Sequence, residues 1–139
     1  MNNGYHCSAC RTIDGPCTGA INPSDEPSVS GFESYDAFSA STEIYNCAKL
    51  PRVAYLTFGL GGEAGEFEEK IKKLYRDHDG VITPERRVEL LKELGDVLWY
   101  VSRLACTIGG SLREVAELNV AKLRDRQARD KLHGEGDAR

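Results

Sequence analysis

Gly59-Leu60-Gly61-Gly62-Glu63-Ala64-Gly65-Glu66 places two carboxylates three residues apart, and Glu93-Leu94-Gly95-Asp96 repeats that spacing after the 26 residues 67–92. On an α-helix, residues at i and i+3 share a face, about 5–6 Å apart at Cβ. Two such helices facing each other would bring four carboxylates to one point. At about 5 Å and an effective dielectric of about 20, each anion pair repels by about 3 kcal/mol. A hard divalent cation relieves the repulsion, since Mg²⁺ and Mn²⁺ prefer oxygen ligands and recruit phosphate.

The text around both pairs has a helical period. Val53, Leu56, Leu60, Ala64, Phe67, Ile71 and Leu74 recur at i, i+3/i+4 spacing and predict a helix from Val53 to about Tyr75. Glu63 falls on that apolar stripe, and Glu66 flanks it. Gly59, Gly62 and Gly65 each cost a helix interior about 1 kcal/mol relative to Ala, so close approach of another backbone or a ligand is expected there. Lys70, Lys72, Lys73 and Arg76 suit the helix C-terminus. Asp79-Gly80 reads as a turn. Thr83-Pro84-Glu85 then opens a helix to about Thr107, with Thr as N-cap and Pro in the first position. Val88, Leu91, Leu94, Leu98, Val101 and Ala105 mark its expected core face. Val97 to Val101 is apolar all round, and Glu93, Asp96 and Tyr100 share one edge.

Outward from this pair, the chain divides into three parts. Residues 1–31 are rich in Gly, Ser, Asn, Pro and Cys and read as an irregular segment. Cys7-x-x-Cys10 has the spacing of half a zinc site, which Cys17 and His6 would have to complete; free thiols are the expectation. A helical domain is expected over 32–133 and a polar tail over 134–139. Its first helix is expected from Phe32 to Leu50, started by Ser34 or Asp36, with Tyr35, Phe38, Ile44, Tyr45 and Ala48 as a stripe. Phe38, Tyr45 and Asn46 are candidate base contacts, although Phe38 and Tyr45 also fit a plain core. Gly109-Gly110 ends the third helix, and Ser111 with Glu114 forms a capping box for a fourth reaching about Lys131. On that helix the stripe Leu112, Val115, Ala116, Asn119, Lys122, Leu123, Arg126 begins apolar and turns polar. Asn119, Lys122 and Arg126 there call for anionic partners.

Composition narrows the function classes. The chain of 139 residues has 40% hydrophobic and 29% charged residues, enough for one domain with a core. A net charge of −4 argues against a nucleic-acid partner, because there is no basic excess to displace counterions. No apolar run approaches the roughly 20 residues of a membrane span, and no signal peptide is evident. Five cysteines cannot all pair within the chain, and a reducing, cytoplasmic setting is expected. A di-iron bundle would use Glu-x-x-His pairs, whereas His6, His78 and His133 lie outside the expected helix interiors. No Gly-x-x-x-x-Gly-Lys-Ser/Thr loop is present, and Cys106 reads as core. Carboxylates facing each other beside Lys, Arg and Asn suggest a metal-bound di- or triphosphate, hydrolysed at a phosphoanhydride.

Glu63-x-x-Glu66 and Glu93-x-x-Asp96, with their flanking Gly-Leu-Gly-Gly-Glu-Ala-Gly-Glu-Phe-Glu-Glu-Lys and Glu-Leu-Gly-Asp-Val-Leu-Trp-Tyr, resemble the signature of the MazG-like nucleotide pyrophosphohydrolases, within the all-α NTP pyrophosphatases. Asn119, Lys122, Leu123 and Arg126 extend the likeness, which spans about 34–133. The resemblance implies an all-α four-helix bundle, assembled as a homodimer or as a dimer of dimers. It implies cleavage of a (d)NTP between the α and β phosphates to (d)NMP and pyrophosphate with Mg²⁺ or Mn²⁺. Glu63, Glu66, Glu93 and Asp96 would be the metal ligands, with Glu63 and Glu66 catalytic and Glu63 polarising the attacking water. Tyr100, Asn119, Lys122, Arg126 and Lys73 would meet phosphate or sugar, and Trp99 would stack on the base or serve as core. The sequence does not fix the base, with no more than a lean to (d)GTP. Phosphoribosyl-ATP or an alarmone such as ppGpp are alternative substrates, and a non-catalytic nucleotide-binding module is the alternative to an enzyme.

Overall fold

The computed structural model describes residues 29–45 and 49–131. Within them lie four helices and no strand: α1 (Phe32–Ser41), α2 (Arg52–His78), α3 (Pro84–Thr107) and α4 (Leu112–Ala128). The segment 1–28, with Cys7, Cys10, Cys17 and His6, falls outside the described residues, as do Asn46 and the tail from 132 onward.

The longest elements form an antiparallel hairpin. Pro51 stands at the N-cap of α2, where its missing N–H is no loss. At the other end Asp79 and Gly80 adopt left-handed conformations, φ 51° and 74°, and Gly80 N–H donates to Leu74 O at 3.1 Å. Thr83 then caps α3, its hydroxyl accepting from Arg86 N–H at 3.4 Å. Gly109, also left-handed at φ 87°, closes α3. Ser111 Oγ accepts Glu114 N–H at 3.2 Å and opens α4. These boundaries follow the expected ones closely, except that α4 stops at Ala128 rather than near Lys131.

The first helix departs from expectation. It ends at Ser41, nine residues short of Leu50. Ser41 Oγ donates to Phe38 O at 2.7 Å and Thr42 Oγ1 to Ser39 O at 3.1 Å. Such side-chain bonds back to the previous turn compete with helix continuation. Beyond them Glu43 is drawn sideways to Arg52 and Arg103. Its start also differs. Gly31 is the N-cap position, and Ser34 Oγ accepts Gly31 N–H at 3.2 Å while Asp36 turns inward.

Among the described residues, α2 packs on α3 alone, whereas α1 and α4 pack on α3 and on each other. α3 is therefore the central helix. The buried residues cluster where α1, α4 and the C-terminal part of α3 meet: Ser39, Ser102, Ala105, Cys106 and Leu112, with Leu56 of α2 fully buried too. Val88, Leu91, Leu94 and Leu98, expected in the core, are exposed, and only Ala105 of that face is fully covered. Among the described residues no helix lies over them. Phe58 on α2 (69% exposed) and Leu118 on α4 (65%) are likewise open.

Candidate metal centre

Three of the four sequence-selected carboxylates converge in the α2–α3 hairpin. One oxygen from each of Glu63, Glu66 and Glu93 can be chosen so that all lie within 4.8 Å of one another. Glu63 and Glu93 are half-buried and Glu66 is exposed. Asp96, one turn further along α3, stands outside this triad but is close enough to act on it. Burial pushes the Glu63 carboxyl up from its ordinary value, and the charges of Asp96, Glu66 and Glu93 push it the same way. The surroundings of Glu63 thus resist its ionisation from every side.

The oxygen-only donor set, with mutual repulsion written into Glu63, fits a hard divalent cation better than a soft or imidazole-seeking one. The described residues offer a single cation to the triad: Lys70 Nζ lies 3.3 Å from Glu93 Oε1. Sequence reasoning placed Lys70 only among helix C-terminal charges. The signal was present, because positions 63, 66 and 70 share one face at i, i+3 and i+7.

Tyrosines wall the cluster. Tyr100 of α3 lies against α2 at Gly59, where any Cβ would collide with its ring. Close approach, expected of three glycines, is realised at this one. A Cβ on Gly61, Gly62 or Gly65 would meet nothing. Burial raises the Tyr100 phenol's proton affinity, and Tyr55, Glu63 and Asp96 add to it. Tyr35 of α1 donates its hydroxyl to Gly95 O at 3.3 Å, inside the second acidic motif. Burial, then Asp96 and Asp36, raise its proton affinity as well. Its place beside the acids was not foreseen. Trp99 stacks edge-on against Tyr100, centroids 4.9 Å apart, and donates its indole N–H to Thr42 Oγ1 at 2.8 Å. Tyr45 lies after α1, not on it, with its ring 5.0 Å from that of Tyr55 and its hydroxyl donating to Leu50 O. Phe38 is exposed on α1.

The predicted phosphate-binding residues are dispersed. Lys73 lines a groove of about 570 Å³ between α2 and α3, which begins at Glu66 and continues past Lys70 to His78 and Arg86. Asn119 and Lys122 are exposed on α4, and Arg126 of the same helix is buried. Since α4 does not pack on α2, a single chain does not set them against the triad through helix contact.

A second polar cluster was missed altogether. Asp36, Ser39, Ser102 and Arg103 are all buried. Ser102 Oγ donates to Asp36 Oδ1 at 2.5 Å, Leu112 N–H donates to Asp36 Oδ2 at 3.0 Å, and Ser39 and Ser102 hydroxyls meet at 2.8 Å. Arg103 Nε donates to Glu43 Oε2 at 2.8 Å, and Arg52 grips both oxygens of Glu43 at 2.5 Å. Ser102-Arg103 inside an apolar helical run was the available signal.

The family model for the MazG nucleotide pyrophosphohydrolase domain matches residues 53–129, more than half of the chain and all of α3 and α4. The chain belongs to the MazG nucleotide pyrophosphohydrolase family. Both acidic pairs of this MazG chain lie inside the matched span. It is also 44% identical to the Gene 37 protein of Mycobacterium phage L5, over 76% of this chain and 96% of that one. No solved structure matches the chain. Among the described residues no helix is long and apolar enough to cross a membrane.

Proposed function

We propose that this MazG-family protein hydrolyses nucleoside triphosphates between the α and β phosphates, releasing a nucleoside monophosphate and pyrophosphate. The observation that carries this is the convergence of Glu63, Glu66 and Glu93 within 4.8 Å in a family of nucleotide pyrophosphohydrolases. Glu63, Glu66, Glu93 and Asp96 are the residues that would hold Mg²⁺ or Mn²⁺. A bound ion of this kind polarises phosphate oxygens and lowers the pKa of a coordinated water.

The chain's own groups then have separable tasks. Glu63, whose proton affinity is raised, is suited to accept a proton from the attacking water, and Glu66 holds the same centre. Tyr100 stands one turn beyond Asp96 and presents a hydroxyl to sugar or phosphate. Lys73 offers its ammonium along the groove. Trp99 serves the base as a wall rather than as a donor, because its N–H is engaged by Thr42.

Asn119 and Lys122, exposed on α4, are assigned to phosphate through a second copy of the chain; Arg126 of the same helix is buried and joins them only if its side chain moves outward. Apolar residues left open on both helices of the hairpin and on α4 favour such a copy: Phe58, Leu91, Leu94, Leu98 and Leu118. Light scattering should give at least twice the chain mass, and a monomer at micromolar concentration contradicts this assignment.

Incubation with Mg²⁺ and each (d)NTP tests the reaction. NMP plus pyrophosphate is the expected product pair, with (d)GTP the first base to try; NDP plus phosphate would identify a different bond. Phosphoribosyl-ATP and ppGpp belong in the same panel, and turnover of either alone would move the substrate class while keeping the site. Tight nucleotide binding by calorimetry with no product would mean a binding module.

A further inference from the structure

Lys70 stands between two features of the hairpin, the acid triad and the groove beside it. Its ammonium lies 3.3 Å from Glu93 Oε1, the carboxylate that α3 contributes to the triad. The side chain is 38% exposed, so it is neither locked in the core nor free in solvent. One helical turn on, Lys73 and then Arg86 from α3 line the groove that Lys70 itself borders. Lys73 pairs loosely with Glu69 at 3.3 Å, both side chains half-exposed, and Arg86 donates to Val81 O at 3.2 Å.

Charge and distance set Lys70, in its present position, in competition with an ion in the triad. An ion ligated by Glu93 would sit about 2.1 Å from its oxygen. An ammonium hydrogen-bonded to the same carboxylate then faces a double positive charge a few ångströms away. Lys70 has a flexible four-carbon stem, so its head can leave without moving α2. The groove is the open side; its lining carries Lys73 and Arg86 together with Glu66, Glu69 and Glu89, so an anion entering it meets its attraction at the two cations and at the head of Lys70.

We propose that Lys70 is a placeholder cation. It neutralises Glu93 while no divalent ion is bound, and when one is bound it turns into the groove and takes oxygens of a diphosphate group. This rests on the assignment of the triad as a metal centre. It adds a coupling: metal binding releases the cation that the anion needs.

Calorimetry on the metal-free full chain at neutral pH tests it, with Mn²⁺ and inorganic pyrophosphate as probes. Lys70→Gln should bind Mn²⁺ about fivefold more tightly or better, because a competing charge is gone. Lys92→Gln removes an equal charge from an exposed site on α3 and should leave Mn²⁺ affinity within about twofold of wild type; Lys70→Arg should also stay near wild type. With Mn²⁺ saturating, Lys70→Gln should bind pyrophosphate about tenfold more weakly. Circular dichroism confirms that each variant is folded. Unchanged or weaker Mn²⁺ binding by folded Lys70→Gln overturns the placeholder role. Tighter Mn²⁺ with unchanged pyrophosphate binding overturns its turn into the groove. A wild-type chain that binds no Mn²⁺ overturns the metal centre itself. A wild-type chain that binds Mn²⁺ and hydrolyses dNTPs, beside an indifferent Lys70→Gln, overturns the Lys70 role alone.

Discussion

Asp36 and Glu63 are both carboxylates turned inward from helices onto α3, yet their surroundings are opposite. Each oxygen of Asp36 has a donor, from Ser102 and from Leu112 N–H. Glu43 in the same region faces Arg52 and Arg103. Glu63 faces Glu66, Glu93 and Asp96. Buried charge is tolerable when its partners are built into the fold. At α1, α3 and α4 the chain supplies those partners and gains a fixed joint. In the α2–α3 hairpin the described residues offer the converging carboxylates one cation, Lys70. The pKa directions record the contrast. Burial pushes Glu43 up, but hydrogen bonds from Arg52 and Arg103 outweigh it and the net shift is down. For Glu63 every influence points up.

The contrast breaks first at Glu66. Glu66→Gln should lower kcat by about a thousandfold or more in a product assay. Its melting temperature without metal should not fall, since a like charge has been removed. A fully active variant would end the ligand assignment. Next comes the closed joint. Arg103→Met leaves Glu43 buried with one partner fewer, and urea denaturation should show a loss of about 3 kcal/mol. Activity per folded molecule should be nearly retained, because Arg103 touches none of the triad.

Two glycines sharpen it further. Gly59→Ala forces Tyr100 off its seat and should lower both melting temperature and kcat/KM. Gly61→Ala meets none of the described residues and should add up to about 1 kcal/mol by helix propensity. A loss there instead would indicate that a second copy covers this face.

The smallest effects are in the pH dependence of the metal-free protein. Glu63 is raised above the ordinary 4.5, so its contribution to stability is present below that value and is lost as pH rises through the folded value. Glu63→Gln should therefore flatten the stability profile above 4.5. Glu43 is lowered, so its contribution is present above 4.5 and is lost as pH falls. Glu43→Gln should flatten the acid side. Thermal melts across pH would show both, and the same limb flattening in the two variants would contradict the opposed surroundings.

Legibility in the sequence followed the range of the interaction. The hairpin, the Thr83 cap of α3, the Ser111 cap of α4 and the convergence of Glu63, Glu66 and Glu93 rest on helix period and spacing, which are local. The end of α1 was misjudged because hydroxyls of Ser41 and Thr42, together with distant Arg52 and Arg103, decide it. The core face of α3 was misjudged for a related reason. A stripe shows which residues are apolar but not whether a helix lies over them, and Leu91, Leu94 and Leu98 have none among the described residues.

The sequence by itself determined four helical segments, the family, and which acids share a helix face, since each depends on residues a few positions apart. Only the tertiary structure decided that Asp36 is satisfied and Glu63 is not, that Tyr100 rests on Gly59, and that Lys70 pairs with Glu93. Those facts depend on how two helices are rotated against each other. Side chains from residues tens of positions apart set that rotation, and no period within one helix encodes it.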